Sequence, residues 1–253
     1  MSRDLQTAHD RWNELGETDP LWSVLTEADK TGGRWSEDDF LTSGHIEVQG
    51  LMEDLAAAGL SPAREVVLDF GCGVGRLTQA LTAHFDRAIG VDVAPSMIEW
   101  ARQMDRTGGR ASFVLNRSNR LEGVPPDSVD LVYSNMVLQH VSPALSRGYV
   151  AEFLRVLRPG GIAVFQLPSR PKRARGYLKL WLKRMPRPLL AALLQATRAG
   201  RGVPIDMHGV PRTAVEATVR AAGGEVVGVI ENDAAGPDWT SWRYTVRKHA
   251  PSG

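Results

Sequence analysis

The sequence predicts an α/β protein built on an open, mostly parallel sheet, and three observations carry that expectation. First, the apolar run Val66-Val67-Leu68 leads into Asp69-Phe70-Gly71-Cys72-Gly73-Val74-Gly75 and then into a helical period from Arg76 to Phe85. That is the order strand, glycine-rich turn, helix. Second, Ala88-Ile89-Gly90-Val91 is another apolar run and ends on Asp92, where a carboxylate at the tip of a second strand can accept two ribose hydroxyls. Third, apolar runs and amphipathic stretches alternate downstream, as they do when helices cover a parallel sheet.

Taken in order, Ala8 to Leu15 reads as helix, Asp19-Pro20 starts a short turn, and Thr31-Gly32-Gly33 is a loop. Ser36, followed by Glu37-Asp38-Asp39, caps a long helix that reaches about Gly59. Trp12, Trp22, Trp35 and Phe40 are expected to pack this arm over the sheet. Strands follow at 66–70, 88–93, 111–115, 129–134 and 162–167, with helices at 76–85, 96–105 and 144–157. Thr213 to Ala222 is helical and Gly223-Gly224 ends it. Glu225 to Glu231 and Trp239 to Lys248 read as two last strands. The expected organisation is a helical N-terminal lid (1–59), an α/β core (60–168), a basic helical insertion (169–205) and a C-terminal part completing the core (206–253).

Glycines at 71, 73 and 75 allow a sharp turn and let a ligand approach where a β-carbon would clash. The following helix points free N–H groups at the same place. The preceding acid, Asp69, would repel a pyrophosphate but suits a ligand carrying an amino group and a sulfonium. On these residues the chain resembles the class I S-adenosylmethionine-dependent methyltransferases. The resemblance continues through Gly90-Val91-Asp92-Val93-Ala94-Pro95-Ser96-Met97-Ile98 and Val129-Asp130-Leu131-Val132-Tyr133-Ser134-Asn135-Met136-Val137-Leu138-Gln139-His140-Val141. It returns in Leu154-Arg155-Val156-Leu157-Arg158-Pro159-Gly160-Gly161. Four motifs in order cover roughly residues 60 to 168. The resemblance implies a Rossmann-like seven-stranded sheet with an antiparallel last strand, S-adenosyl-L-methionine as cofactor, and an N-terminal lid over the methionine moiety.

It also implies roles. Gly71, Gly73 and Gly75 would let the loop backbone wrap the aminocarboxypropyl part, with Cys72, a small close-packed residue, and Arg76 also at the cofactor, and Asp69 would receive its ammonium directly or through water. Asp92 would hold the ribose diol, with Val93 and Met97 flanking adenine. After strand 3 such enzymes usually offer an acid to the adenine amino group. Here Arg117 stands at that position, leaving Ser118 or Asn119 to accept the hydrogen bond or simply to form a turn. Asn135, Met136, Gln139 and His140 follow strand 4 and would face the methyl group, since ligands bind beyond the carboxyl ends of the strands. If the acceptor is a hydroxyl, His140 is the first candidate base and His208 the second; each is otherwise a packing or loop residue. No CxxC, HExxH or His-rich spacing is present, so no metal is expected, not even from Asp206, Asp233 and Asp238.

Length and composition agree: 253 residues, 43% hydrophobic and 23% charged, suit one soluble globular domain with additions. The lone cysteine, Cys72, excludes an intramolecular disulfide and makes the cytoplasm the expected compartment. The polar start Met1 to Leu5 is read as no signal peptide, and no apolar run approaches spanning length. The net charge of +1 hides an asymmetry, because Arg170 to Arg201 holds ten Lys or Arg and no acid. That block reads as a solvated helical cap, as a basic wall for an anionic or lipid-linked acceptor, or as an amphipathic helix on the inner face of an anionic membrane. No stacking platform accompanies it, so nucleic acid is not expected. The favoured activity is O-methylation of a small molecule, sugar or lipid-linked glycan. The alternatives are N-methylation of protein or RNA, where the absence of Asn-Pro-Pro-Tyr at Ser134-Asn135-Met136-Val137 counts against it, and cofactor binding without transfer.

Overall fold

The computed structural model describes residues 2–27, 29–172 and 206–250. All but the first residues of the expected basic insertion therefore lie outside the described residues. The chain begins with α1 (Arg3–Thr18), α2 (Pro20–Val24) and α3 (Glu37–Ala57). Next come β1 (Val66–Phe70), α4 (Arg76–Leu81), β2 (Arg87–Asp92), α5 (Pro95–Gln103), β3 (Ala111–Leu115) and β4 (Val129–Ser134). A 3-10 turn (Leu138–His140) precedes α6 (Pro143–Val156) and β5 (Leu157–Pro171). The elements α7 (Arg212–Ala221), β6 (Gly224–Asn232) and β7 (Trp239–Lys248) finish the fold.

The seven strands form one sheet in the order β3-β2-β1-β4-β5-β7-β6. β1 pairs in parallel with both β2 and β4, whereas β7 runs antiparallel between β5 and β6. The expected architecture is thus present. The strand order reverses between β1 and β4, and a ligand crevice opens at such a switch point beyond the strands' carboxyl ends. Strand alternation explains the layering. Leu68, Phe70 and Val132 face one core with α6, α7 and Tyr244. Val67, Leu131 and Tyr133 face the other, built on Val48, Leu51 and Leu55 of α3 and Leu77 and Leu81 of α4. α3 therefore belongs to the sheet's covering layer, and only α1, α2 and the turn after them reach the crevice.

Three local differences from the sequence reading have physical causes. The fourth helix stops at Leu81 rather than Phe85, its end tightening into three-residue bonds from Thr82, Ala83 and His84 back to Gln79, Ala80 and Leu81. β5 runs from 157 to 171 rather than 162 to 167, because β7 supplies a long antiparallel partner, Ile162↔Arg247 through Pro171↔Trp239, with a bulge between Pro168 and Arg170. Helix α1 is twice the expected length: Ser2 caps it by accepting from the Leu5 N–H at 3.3 Å. Ser36 caps α3 as expected, accepting from the Asp39 N–H at 3.1 Å.

Candidate active site

The segment 69–76 is held by its own hydrogen bonds before any ligand arrives. The N–H groups of Gly71 and Cys72 both donate to the Val91 carbonyl, at 2.7 and 3.1 Å, which lashes the glycine turn to β2. Asp92 finishes the join. Its Oδ2 accepts from the Gly73 N–H and its Oδ1 from the Ala94 N–H, both at 2.9 Å. Gly71 and Gly73 have φ of +77° and +52°, which a side chain would strain. A β-carbon on Gly73 would lie 2.6 Å from Val24 of α2, and one on Gly71 would strike Val137. Burial raises the Asp92 carboxyl above its ordinary pKa, and the backbone N–H groups oppose that.

A cavity of about 470 Å³ starts at this turn and ends at the loop after β4. Gly71, Cys72, Gly73, Asp92, Val93 and Met97 line one end. Asn135, Met136, Gln139 and His140 line the other. Trp12 of α1 and Val24 of α2 close it from above, and Met207 with Asp233 to Gly236 of the β6–β7 loop completes the wall. α1 is fastened along its length: Ser96 donates from N and Oγ to Asn13 Oδ1 and O at 3.0 and 2.9 Å, and Arg11 pairs with Asp206 at 3.1 Å. Trp12 meets the His140 ring edge-on, centroids 5.2 Å apart.

A methyltransferase-domain family model matches residues 68–165, the stretch that builds both ends of this cavity. Over that stretch the chain carries a methyltransferase domain, similar to those of the class I S-adenosylmethionine-dependent methyltransferases. Among its relatives, the 2-methyl-6-phytyl-1,4-hydroquinone methyltransferase of Synechocystis is 26% identical over 190 residues, 75% of this chain and 58% of that protein. An S-adenosyl-L-methionine-dependent Diels-Alderase of Talaromyces variabilis is 31% identical over 181 residues, 70% of this chain and 57% of that one. The malonyl-[acyl-carrier protein] O-methyltransferase of Yersinia pestis is 36% identical over 100 residues, 40% of this chain and 35% of its own. The chain thus spans 35 to 58% of the length of these curated relatives. In fold, magnesium protoporphyrin IX methyltransferase of Synechocystis with bound SAH matches 96% of this chain and 99% of that one, with a TM-score of 0.62 at 16% identity.

S-adenosyl-L-methionine is the cofactor of this methyltransferase family, and the residues present fit it. Gly71 and Gly73 line the cavity with backbone alone. Each Asp92 oxygen has one lone pair engaged by the loop, which leaves the other for a ribose hydroxyl. Several expected contacts lie elsewhere, however. Asp69 does not line the cavity: it is 1% exposed, and its Oδ2 accepts from Thr78 Oγ1 of α4 at 2.6 Å. Gly75 also faces away, with Phe113 and Ala101 where its β-carbon would be. After β3, Asn116 lines the cavity rather than Ser118 or Asn119. Ser118 is turned to Glu122, and Asn119 accepts from Ser2 at the start of α1. Arg76 reaches the wall, but its guanidinium pairs with Glu47 at 2.6 Å.

His140 is at the wall, though in a constrained form. A carbonyl can only accept, so the 3.0 Å contact of Nδ1 with the Asp206 carbonyl places the ring proton on Nδ1. Nε2 is then the acceptor of the Gln139 amide at 3.1 Å. Gln139 is held in turn by Gln166 of β5, whose amide donates to Gln139 Oε1 at 3.1 Å and to Ser241 of β7 at 2.7 Å. Burial pushes the ring's pKa down to about 4. His208 does not line the cavity, and its backbone N–H donates to the Gln139 carbonyl at 2.7 Å. Among the described residues no group of three or more His, Cys, Asp or Glu gathers as a metal site, and no helix is long and apolar enough to cross a membrane.

The buried carboxyl of Asp69 gives a stability signature. Burial raises its pKa from 3.8 to about 7, so the folded state holds this proton more tightly than the unfolded chain. The group's contribution is therefore full below about pH 4 and declines as the pH rises to about 7. Calorimetric melting of wild type and Asp69→Asn should show curves that diverge across that window, with the variant gaining as the pH rises. Parallel curves would show that Asp69 ionises normally.

Proposed function

We propose that the protein transfers the methyl group of S-adenosyl-L-methionine to a hydroxyl of a small molecule. The observation that carries this reading is one continuous cavity running from Asp92 and the bare glycine turn to the loop after β4, closed by α1. In it Asp92 takes the ribose diol, Val93 and Met97 flank the adenine, and Gly71 and Gly73 admit the aminocarboxypropyl chain against backbone. The cofactor supplies a methyl on a sulfonium, and the protein's task is to align the acceptor oxygen with it and keep water out. Trp12, Val24 and Met136 are apolar walls for that purpose. We assign His140 a positioning part: its neutral ring, braced by Gln139 and the Asp206 carbonyl, holds α1 against the β4 loop through Trp12.

A second reading is cofactor binding without consumption, favoured by the relative named a Diels-Alderase. One experiment separates the two. Purified protein is incubated with methyl-labelled S-adenosyl-L-methionine and fractionated small molecules, lipids, protein and RNA. Label in the small-molecule fraction, in a base-stable ether, is the expected result. Cofactor bound stoichiometrically with no label in any fraction would leave the second reading standing and remove the first.

A further inference from the structure

Resting on the methyl-transfer reading, we propose that the acceptor is a phenolic hydroxyl on a flat, uncharged aromatic ring, selected by the walls around the loop after β4.

The walls there are Trp12, Met136, Met207, Ala234 and Ala235. An indole and two thioethers make soft, polarisable contacts that favour an aromatic ring over a saturated one of the same size. Met136 is kept in place at some cost, since its φ is +58°, a region that non-glycine residues seldom occupy and that clusters at ligand sites.

Charge points the same way. Besides His140, the charged side chains lining the cavity among the described residues are Arg76, Asp92 and Asp233. Glu47 neutralises Arg76, and Asp92 is committed to the glycine turn. Asp233 stands exposed at the rim. Among the described residues a carboxylate or phosphate acceptor would find no unpaired cation in return for its lost water, and would meet Asp233 besides.

The one imidazole on the wall has both nitrogens hydrogen-bonded, and burial makes it a weak base. An acceptor as weakly acidic as water, with a pKa near 15.7, would need a base there. A phenol ionises near 10 and needs none of comparable strength. The hydroxyl proton leaves to water at the cavity mouth, and an oxygen lone pair forms the new O–C bond. The C–S bonding pair stays on sulfur, which departs as an uncharged thioether. Charge and atoms balance without a further reactant.

The test uses three probes of one shape, 2-naphthol, trans-2-decalol and 2-naphthoate, titrated calorimetrically into the full chain saturated with S-adenosylhomocysteine. 2-Naphthol should bind at least about tenfold more tightly than either of the others. Trp12→Leu, with S-adenosylhomocysteine kept saturating, should erase its advantage over decalol, because Trp12 lines the cavity beside His140. Should that variant fail to fold, Met207→Leu reads the same preference without disturbing α1. Equal binding of decalol, or tighter binding of naphthoate, overturns the proposal. Methyl label found in an acidic or aliphatic product would do the same and leave the methyl-transfer reading intact. Selective naphthol binding with no label in any product would instead remove the methyl-transfer reading, and this proposal as a statement about an acceptor with it.

Discussion

Replacing Asp92 by alanine should abolish tight cofactor binding. The carboxylate serves two sets of partners at once: backbone N–H groups of Gly73 and Ala94 on the protein side and, in the reading given above, the ribose diol on the other. Each charge-assisted hydrogen bond lost is worth about 1.5–3 kcal/mol. Two to the diol therefore predict at least about a hundredfold loss of affinity. The loosened glycine turn adds to that. Asp92→Asn separates the parts, because its one acceptor oxygen can still take a loop N–H and a ribose hydroxyl, while its amide nitrogen faces the second loop N–H and the second hydroxyl with no lone pair to offer. Calorimetric titration with S-adenosylhomocysteine reads both variants. An affinity for the alanine variant within a few-fold of wild type would rule out Asp92 as the ribose ligand.

The largest stability effect is expected at Glu47. This α3 residue accepts from Arg76 Nη2 at 2.6 Å and, on its other oxygen, from the Tyr133 hydroxyl and the Asn135 amide, both at 2.8 Å. The Arg76 side chain is 3% exposed. Its other hydrogen bond is to Ser43 at 3.3 Å, and its Nε has none. Glu47→Ala would strand a buried guanidinium, a change that costs about 3–5 kcal/mol. For a chain of this size that corresponds to a melting temperature lower by about 6–20 °C. Asn135 would lose its anchor in the same stroke, so the surviving folded protein should bind cofactor less tightly. A loss below about 1 kcal/mol would mean that water already solvates the pair.

These two residues mark the boundary of what could be read from the chain alone. Asp92 was legible because a residue type, a strand end and a glycine turn coincide within a short span, and local order fixes where its carboxylate goes. Glu47 carried no such signal: it sits among ordinary helix residues, and its partners lie 29, 86 and 88 positions away. Asp69 was recognisable as part of the motif, but its direction was not. Strand alternation turns it onto the α4 face, where Thr78 takes it, while Phe70 beside it faces the cavity. After β3 the expected polar contact moved from Ser118 and Asn119 to Asn116, because the Asn116 amide donates to the Ser118 carbonyl at 3.1 Å and folds the intervening residues away. His140 lines the cavity at the loop after β4, where its place in the sequence puts it. Its tautomer depends on Asp206, 66 positions on, which no spacing rule reaches.

The fastening of α1 has a consequence for timing. The helix is tied at its start to Asn119, at its middle to Asp206 and near its end to Ser96, and Gly16 passes so close to Ser96 that no side chain would fit between them. Each tie is polar and partly exposed, and such contacts are individually weak. Together they form a latch, and freeing α1 from the site would require all of them to break, a change on the slower scale of whole-helix motions. On the methyl-transfer reading proposed above, that latch covers the cavity that would hold the spent cofactor, and turnover would be paced by how often α1 lifts.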